Sequence, residues 1–394
     1  MKLLNKEIDK RIVIKLNRSI RGNKETGIMT YGSLNDYPQI IEKLIYGSQT
    51  AKACVNIYSK FIGGSGFANP DIGKVIVGID KKGKPVTLDK IRRDAAQSLA
   101  MFNGVYIHCN ENLDKQVGTT KVVPFKNCRF SREDSNGYCG KIAIHPNWSK
   151  EIELNEGKSF QNKDISWYYN FKIESIPDNI IDSKSFENFK GQIYSLFFDD
   201  NYLYPLSPFD SVYLDMDTEY QIQLFKNREI RNGFNDKIIL NIAPPIDDKE
   251  KEETIAKCKS WIGPDGDKLL LFQSEFNEDG TLKGGQRVDQ IKTNINGNLF
   301  DLWEKSLANN IRKAIHALPA VLIDYEQGKL SQASGEMLIQ AVGFYNGLTQ
   351  GLRESFSEMF KDIYSYSNDQ ILSANTNWDI KPFSLMPETI PIIK

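Results

Sequence analysis

Residues 298–366 read NLFDLWEKSLANNIRKAIHALPAVLIDYEQGKLSQASGEMLIQAVGFYNGLTQGLRESFSEMFKDIYSY, and their apolar spacing governs how the rest of the chain must be arranged. Phe300, Trp303, Leu307, Ile311, Ala314, Ile315 and Leu318 recur at threes and fours, the spacing of one helix face. Asn296-Gly297-Asn298 supplies turn and capping residues at the start. Pro319 has no backbone donor and pushes Leu318 out of the α region, so the helix stops or kinks there. A polar loop follows through Asp324, Tyr325, Glu326, Gln327, Gly328 and Lys329, then Ser331 to Glu336. Beyond it Ala341, Tyr345, Leu348, Leu352, Phe356, Met359 and Ile363 lead to Tyr366. That stripe predicts one helix of about 30 residues, roughly 45 Å long. Each helix has a single apolar stripe, so each needs another element or another subunit against it.

The chain has 394 residues, enough for a large core and, on length alone, for two or three domains. Its 40% hydrophobic and 26% charged content is that of an ordinary soluble protein. The net charge of −1 gives no overall basic field for nucleic acid, although charge can still be segregated by surface. Cys54, Cys109, Cys128, Cys139 and Cys258 are odd in number, scattered and without a CxxC pair, which predicts free thiols in a reducing compartment. The first residues have no apolar stretch with a cleavage site, and no run approaches a membrane span. Synthesis in the cytoplasm is the expectation.

In chain order, residues 1–35 lack periodicity and read as an extended arm with little core of its own, or as a frayed terminus. A helix starts near Asp36-Tyr37-Pro38, carries Ile41, Leu44, Ile45, Ser48, Ala51, Val55 and Tyr58, and ends at Gly63-Gly64-Ser65-Gly66. That glycine run lacks the Lys-Ser/Thr of a phosphate loop. A second helix covers 88–102 and stops at Asn103-Gly104. Strands are expected at 105–108, 121–125, 128–130, 141–145, 166–174 and 192–198, with a hairpin turn at Asp134–Gly137 and a charged linker over 178–188. Ser207 as cap, Pro208 at the first position and Asp210 completing a capping box start a helix bearing Phe209, Val212, Met216, Tyr220 and Leu224, which ends at Asn232-Gly233. A compact unit follows: strand 237–242, helix 247–262, strand 268–276, a glycine-bearing loop at 277–285 and strand 288–293. After Tyr366 the tail shows little periodicity and ends near three prolines.

No arrangement of residues announces catalysis. His108, Cys109, Cys128, Cys139 and His145 match no zinc-ligand spacing, and no metal or cofactor is expected. Asp215 and Asp217 point apart at helical spacing. Asp199-Asp200 and Asp265-Gly266-Asp267 sit where turns favour Asp. There is no G-x-S-x-G, and His316 reads as a packed or interfacial residue rather than a base. Lys226, Arg228 and Arg231 fall near a helix C-terminus, where cations suit the dipole.

Three stretches together resemble the portal proteins of tailed bacteriophages. These are the helix ending in Ile315-His316-Ala317-Leu318-Pro319-Ala320-Val321-Leu322 before a Gly/Ser loop and Glu336, the Tyr204-Pro205 start and Asn232-Gly233 end of the helix at 207–231, and the early helix closed by a glycine-rich turn. Ala320 and Ile323 depart from the family, which often has a second proline and a small residue there. The resemblance implies an α+β portal-type architecture. An α+β wing spans 1–206, stem helix 1 spans 207–231, and a small α/β clip spans 232–297. Stem helix 2 follows at 298–318, a kinked tunnel loop at 319–335, a long wing helix at 336–366, and a tail or reduced crown at 367–394. It further implies a non-enzymatic ring of twelve copies at a capsid vertex of the virion, conducting double-stranded DNA in packaging and ejection, with no membrane partner. Its other partners would be the major capsid protein, the large terminase subunit and head–tail connector or adaptor proteins. Asp324, Tyr325, Glu326, Gln327 and Lys329 would face the DNA, and Phe209, Met216, Phe300, Trp303 and Ile311 would meet the neighbouring subunit. Another phage structural component, such as a minor head protein, and a multidomain cytosolic hydrolase remain the rival classes.

Overall fold

The computed structural model describes residues 18–148, 165–199, 202–231, 237–242, 249, 252–253, 269–273, 277–279, 288–291, 297–323 and 334–385, apart from 25, 33, 186 and 187. The apolar stripe from Ile41 to Tyr58 predicts one helix, and two are present: α1 (Tyr37–Gly47) and α2 (Gln49–Gly63). Ser48 divides them. Its backbone is extended, and its Oγ accepts from the Ala51 amide at 3.0 Å, capping α2. Gly47 just before it is a weak helix former, so the local hydroxyl bond prevails over helical continuity. Gly64 ends α2 at φ +60°, with its Cα so close to the Lys381 carbonyl that a Cβ would collide with it.

After β1 (Gly66–Phe67), the hairpin of β2 (Ile76–Ile79) and β3 (Pro85–Thr87) leads into α3 (Leu88–Phe102). Asn103, in the left-handed region at φ 54°, stops α3 where expected. The strands that follow are β4 (Gly104–Glu111), β5 (Val117–Val123), β6 (Cys128–Phe130), β7 (Lys141–Ile144), β8 (Ser166–Asn170) and, after the short helix α4 (Ile176–Asp182), β9 (Gln192–Phe197). They form one six-stranded sheet in the order β5-β4-β9-β8-β7-β6, antiparallel except between β8 and β9. The stretch expected as a linker at 178–188 therefore begins inside a helix, which has Pro177 in its first turn.

Residues 18–35 are not a loose arm. Ile28 and Tyr31 are buried, Ile28 bridges to Ser131, and the Tyr31 ring stacks between Tyr37 and Tyr204 at 4.6 and 4.4 Å. Single side chains dock here from irregular backbone, so there is no periodicity for the sequence to display. Ser207 and Asp210 also act differently from a capping box. The Ser207 Oγ accepts from the Phe209 amide, while the Ser207 amide donates to Tyr37 Oη, which in turn donates to Asp210 Oδ1 at 2.8 Å. Arg18 holds the other carboxylate oxygen. A short 3₁₀ turn over Asp210–Val212 then precedes α5 (Tyr213–Arg231).

The chain divides into two compact units, 1–214 with 309–394 and 215–308. In the second, β10 (Lys237–Ile242) lies between β11 (Leu269–Gln273), parallel to it, and β12 (Val288–Ile291), antiparallel to it. A parallel pair requires a connection of a dozen residues or more, and the sequence between Ile242 and Leu269 is long enough for one. The helix expected at 247–262 and the loop at 277–285 fall largely outside the described residues.

The remaining elements are α6 (Gly297–Ala314), α7 (Ser334–Leu348), α8 (Gln350–Tyr364), α9 (Gln370–Ser373) and β13 (Ile380–Lys381). The helix expected over 336–366 is thus interrupted at Thr349. Its Oγ1 donates to the Tyr345 carbonyl at 2.9 Å, a back-bond that bends helices. Arg353 spans the break, bonding Thr349 Oγ1, the Asn346 carbonyl and the Phe61 carbonyl at the end of α2. In the first unit α2 packs on α3 and α8, α3 on β4, and α8 on β9. Phe356, Met359, Phe360, Ile363 and Tyr364 are buried on α8, each contributing about 1.5–3 kcal/mol. The tail after Tyr366 returns to this core: Leu372, Trp378 and Ile380 are buried, and β13 pairs with β1. No helix among the described residues is long and apolar enough to cross a membrane.

Candidate functional site

The helix read as running to Leu318 stops four residues earlier, at Ala314. His316 and Ala317 then take left-handed backbone at φ 49° and 52°, and the Leu318 amide reaches back to the Arg312 carbonyl at 3.1 Å. Two consecutive non-glycine residues in this region cost about 1–2 kcal/mol each, so surrounding contacts must hold them. Tyr345 Oη donates to the Ile315 carbonyl at 2.9 Å, Leu318 is buried, and Tyr58 Oη shares a hydrogen bond with His316 Nε2 at 3.2 Å. Partial burial lowers the His316 pKa, favouring the neutral ring. Pro319 follows in extended backbone and leads to a short 3₁₀ turn at Ala320–Leu322. The root of the expected loop is therefore clamped to the body by two tyrosines. Asp324, Tyr325, Glu326, Gln327 and Lys329 lie outside the described residues.

Of the residues expected to meet a neighbour, Phe209, Met216 and Ile311 are fully buried within the single chain and retain no surface for another copy. Phe300 and Trp303 do retain it. In the second unit Phe225 stacks on Phe300 at 5.6 Å, Trp303 sits edge-on to Phe300 at 5.9 Å, and Trp303 is 48% exposed beside the more exposed Leu302. Lys226 and Glu304 pair at 2.7 Å across the same two helices.

A larger apolar surface was not visible in the sequence. On α7, Val342 and Tyr345 face inward, while Met337, Phe344 and Leu348 are 55%, 60% and 44% exposed along one side. Leu348 belongs to the buried stripe only if the helix runs straight into α8, and the bend at Thr349 turns it out. Its signal was the near-continuous apolar composition of 337–348, more than one buried face can use.

The candidate chemical residues do not converge. His108 Nε2 bonds the Lys190 carbonyl and His145 Nδ1 bonds within its own turn. Burial pushes the Cys109 and Cys128 thiols up, away from the reactive thiolate. Among the described residues no group of His, Cys, Asp or Glu is placed to hold a metal. A groove of about 1580 Å³ opens between α2, α3 and the β1–β13 pair. It too was missed, although residues 72–93 hold seven cations and two acids in a chain of net charge −1.

No protein-family model matches the chain, and no curated protein matches it. Solved structures similar to it include the neck of a native gene transfer agent particle computed with C12 symmetry. That chain is 12% identical with a TM-score of 0.45, over 84% of this chain and 82% of that one. The neck of an empty particle computed with C6 symmetry is 10% identical with a TM-score of 0.42, over 74% and 72%. The crystal structure of an HK97-family phage portal protein from Corynebacterium diphtheriae is 11% identical with a TM-score of 0.35, over 75% and 82%.

Proposed function

We propose that this chain is a portal subunit, copies of which close into a ring, of twelve in the usual case, at one vertex of a phage capsid. Double-stranded DNA passes through that ring in packaging and ejection. The observation that carries this reading is the order of parts. One α+β body, 1–214 with 309–394, is interrupted by a second unit built on a three-stranded sheet, which α5 and α6 bound in sequence. This is the order that the sequence resemblance assigns to wing, stem, clip, stem and wing. The exposed Leu302 and Trp303 of the second unit and, separately, Met337, Phe344 and Leu348 of the first add support, because a monomer would leave these apolar side chains in water.

In this reading the unit between the helices docks the large terminase during packaging and head–tail connector proteins afterwards, and the wing meets the major capsid protein. ATP hydrolysis belongs to the terminase. Residues 320–335 form the loop around passing DNA. Lys329, repeated at one height by the ring symmetry, makes a belt facing phosphates, with acidic belts from Asp324 and Glu326 limiting adhesion. The purified protein should run as a closed assembly many times 44.9 kDa and give ring-shaped class averages by electron microscopy. A monomer at every concentration removes the reading. Trp303→Asp should leave monomers or misformed rings; normal rings from it would take Trp303 out of the interface. Lys329→Glu and removal of 325–332 should each preserve rings but lower the DNA packaged or retained. Heads that fill and hold DNA like the parent would take the loop out of the DNA path.

A further inference from the structure

The groove between α2, α3 and the β1–β13 pair is lined by Lys60, Lys74, Arg92, Arg93 and Lys381, against a single carboxylate, Asp89. Arg92 is committed to the floor. Its Nε and Nη2 bond Asp89 Oδ1 at 2.8 and 2.6 Å, and its Nη1 bonds the Gly63 and Gly64 carbonyls. Arg93 takes the other oxygen of Asp89. Two guanidinium groups over one carboxylate leave excess positive charge, with Arg93 and Lys60 exposed at the rim beside Lys74, which pairs with Asp71 at 3.0 Å. The walls are mixed: Pro70, Pro382 and Phe383 give them an apolar part above the buried Phe67, and Asn56, Ser59 and Gln97 a polar one.

The β2–β3 hairpin adjoins the groove in sequence, since Lys74 just before β2 and Thr87 at the end of β3 both line it. Its turn is fixed by Asp80 Oδ1, which accepts from the Lys82 and Lys84 amides at 2.8 and 2.9 Å. Lys81, Lys82 and Lys84 are exposed at the tip, and Ile76 and Ile79 are 61% and 72% exposed on the strand below. The volume exceeds the roughly 300–1,000 Å³ of a small-molecule pocket, so a segment of a macromolecule is the fitting occupant. Cations occur here together with the exposed isoleucines of the hairpin and with Pro70, Pro382 and Phe383 of the groove. A nucleic-acid backbone would satisfy the cations and leave the apolar surface uncovered, whereas a peptide bearing both carboxylates and apolar side chains covers both.

We propose that this groove and hairpin bind an extended acidic segment of a partner protein, in which Asp or Glu alternates with apolar side chains. The proposal does not depend on ring formation, and either can fail alone. The probe is a fluorescein-labelled twelve-residue peptide of alternating Glu with Leu and Phe, followed by anisotropy on the full chain. Its Gln counterpart and a labelled DNA duplex are run beside it. Saturable binding of the acidic peptide is expected, weakened about tenfold by added salt and absent for the Gln peptide. Lys60→Glu with Lys74→Glu, and separately Lys81→Glu with Lys82→Glu and Lys84→Glu, should each weaken it about tenfold. Gly73→Leu fills the groove without changing charge, since a Cβ there meets only Asp89 and Phe67 atoms at 3.6 Å. It should weaken binding about fivefold, with circular dichroism unchanged in all three variants. The proposal is overturned if the Gln peptide binds as well, if the duplex binds more tightly and displaces the peptide, or if folded variants bind as the parent does.

Discussion

Glu111 places a carboxyl inside the six-stranded sheet with half its bonding unmet. The side chain is buried, Oε2 accepts from the Gln192 amide at 3.2 Å, and Oε1 has no partner among the described residues. Burial pushes its pKa up to about 8. The unfolded chain ionises near the usual carboxylate value, so the folded state loses stability progressively as pH rises from there toward 8 and loses none below it. At pH 7 the penalty is roughly 3 kcal/mol. Glu111→Gln should therefore raise stability at pH 7 by about 1–3 kcal/mol and flatten the dependence of the unfolding midpoint on pH between 5 and 8. An unchanged pH profile would mean that the carboxyl is solvated. Arg129 is the opposite case. It is fully buried, bonds Asn35 and the Cys128 and Lys126 carbonyls, and lies over the rings of Tyr31 and Trp148. Arg129→Ala should cost about 3 kcal/mol or more by orphaning those acceptors, read as a lower denaturant midpoint at an unchanged slope. Neither role is legible in sequence, because both depend on partners brought together from distant segments.

At the scale of elements, the sequence showed where helices and strands begin far better than where they bend. Asn103 stops α3 and the Asp134–Gly137 turn joins β6 to β7 as their residue types demand. The breaks at Ser48 and Thr349 come from hydroxyls bonding the nearby backbone, a choice that the apolar stripe running through both positions conceals. The early stop of α6 is of the same kind. Pro319 dictates that the helix must end, but Tyr58 and Tyr345 select the left-handed pair that ends it four residues sooner. That pair supplies a test. Ala317 is exposed at φ 52°, where glycine would be unstrained. Relief of about 1–2 kcal/mol outweighs the 0.5–1 kcal/mol of added chain entropy. Ala317→Gly should raise stability by about 0.5–1 kcal/mol, and Ala317→Val should lower it. If both variants melt with the parent, the turn is not held in this backbone.

For the whole molecule, the organising fact is a continuous chain that leaves one body, builds a second unit and returns. The strands of that unit pair only among themselves among the described residues, β11 and β12 each on β10. The body closes its own core across the interruption instead: Tyr345 and Tyr58 meet around residues 315–316, Arg353 ties α8 to α2, and β13 returns to β1. Contacts that close separately should survive separation. Removing 234–295 and joining the ends with a short Gly/Ser linker should therefore leave the body folded, with a single cooperative melt and the near-ultraviolet spectrum of its buried tyrosines and tryptophans. If the portal reading holds, the shortened protein should also still assemble while failing to bind terminase. These outcomes separate two claims. A body that unfolds shows that the interruption is part of one cooperative core. A folded body that still binds terminase as the parent does shows that docking lies elsewhere, and the excised sheet would then need another role.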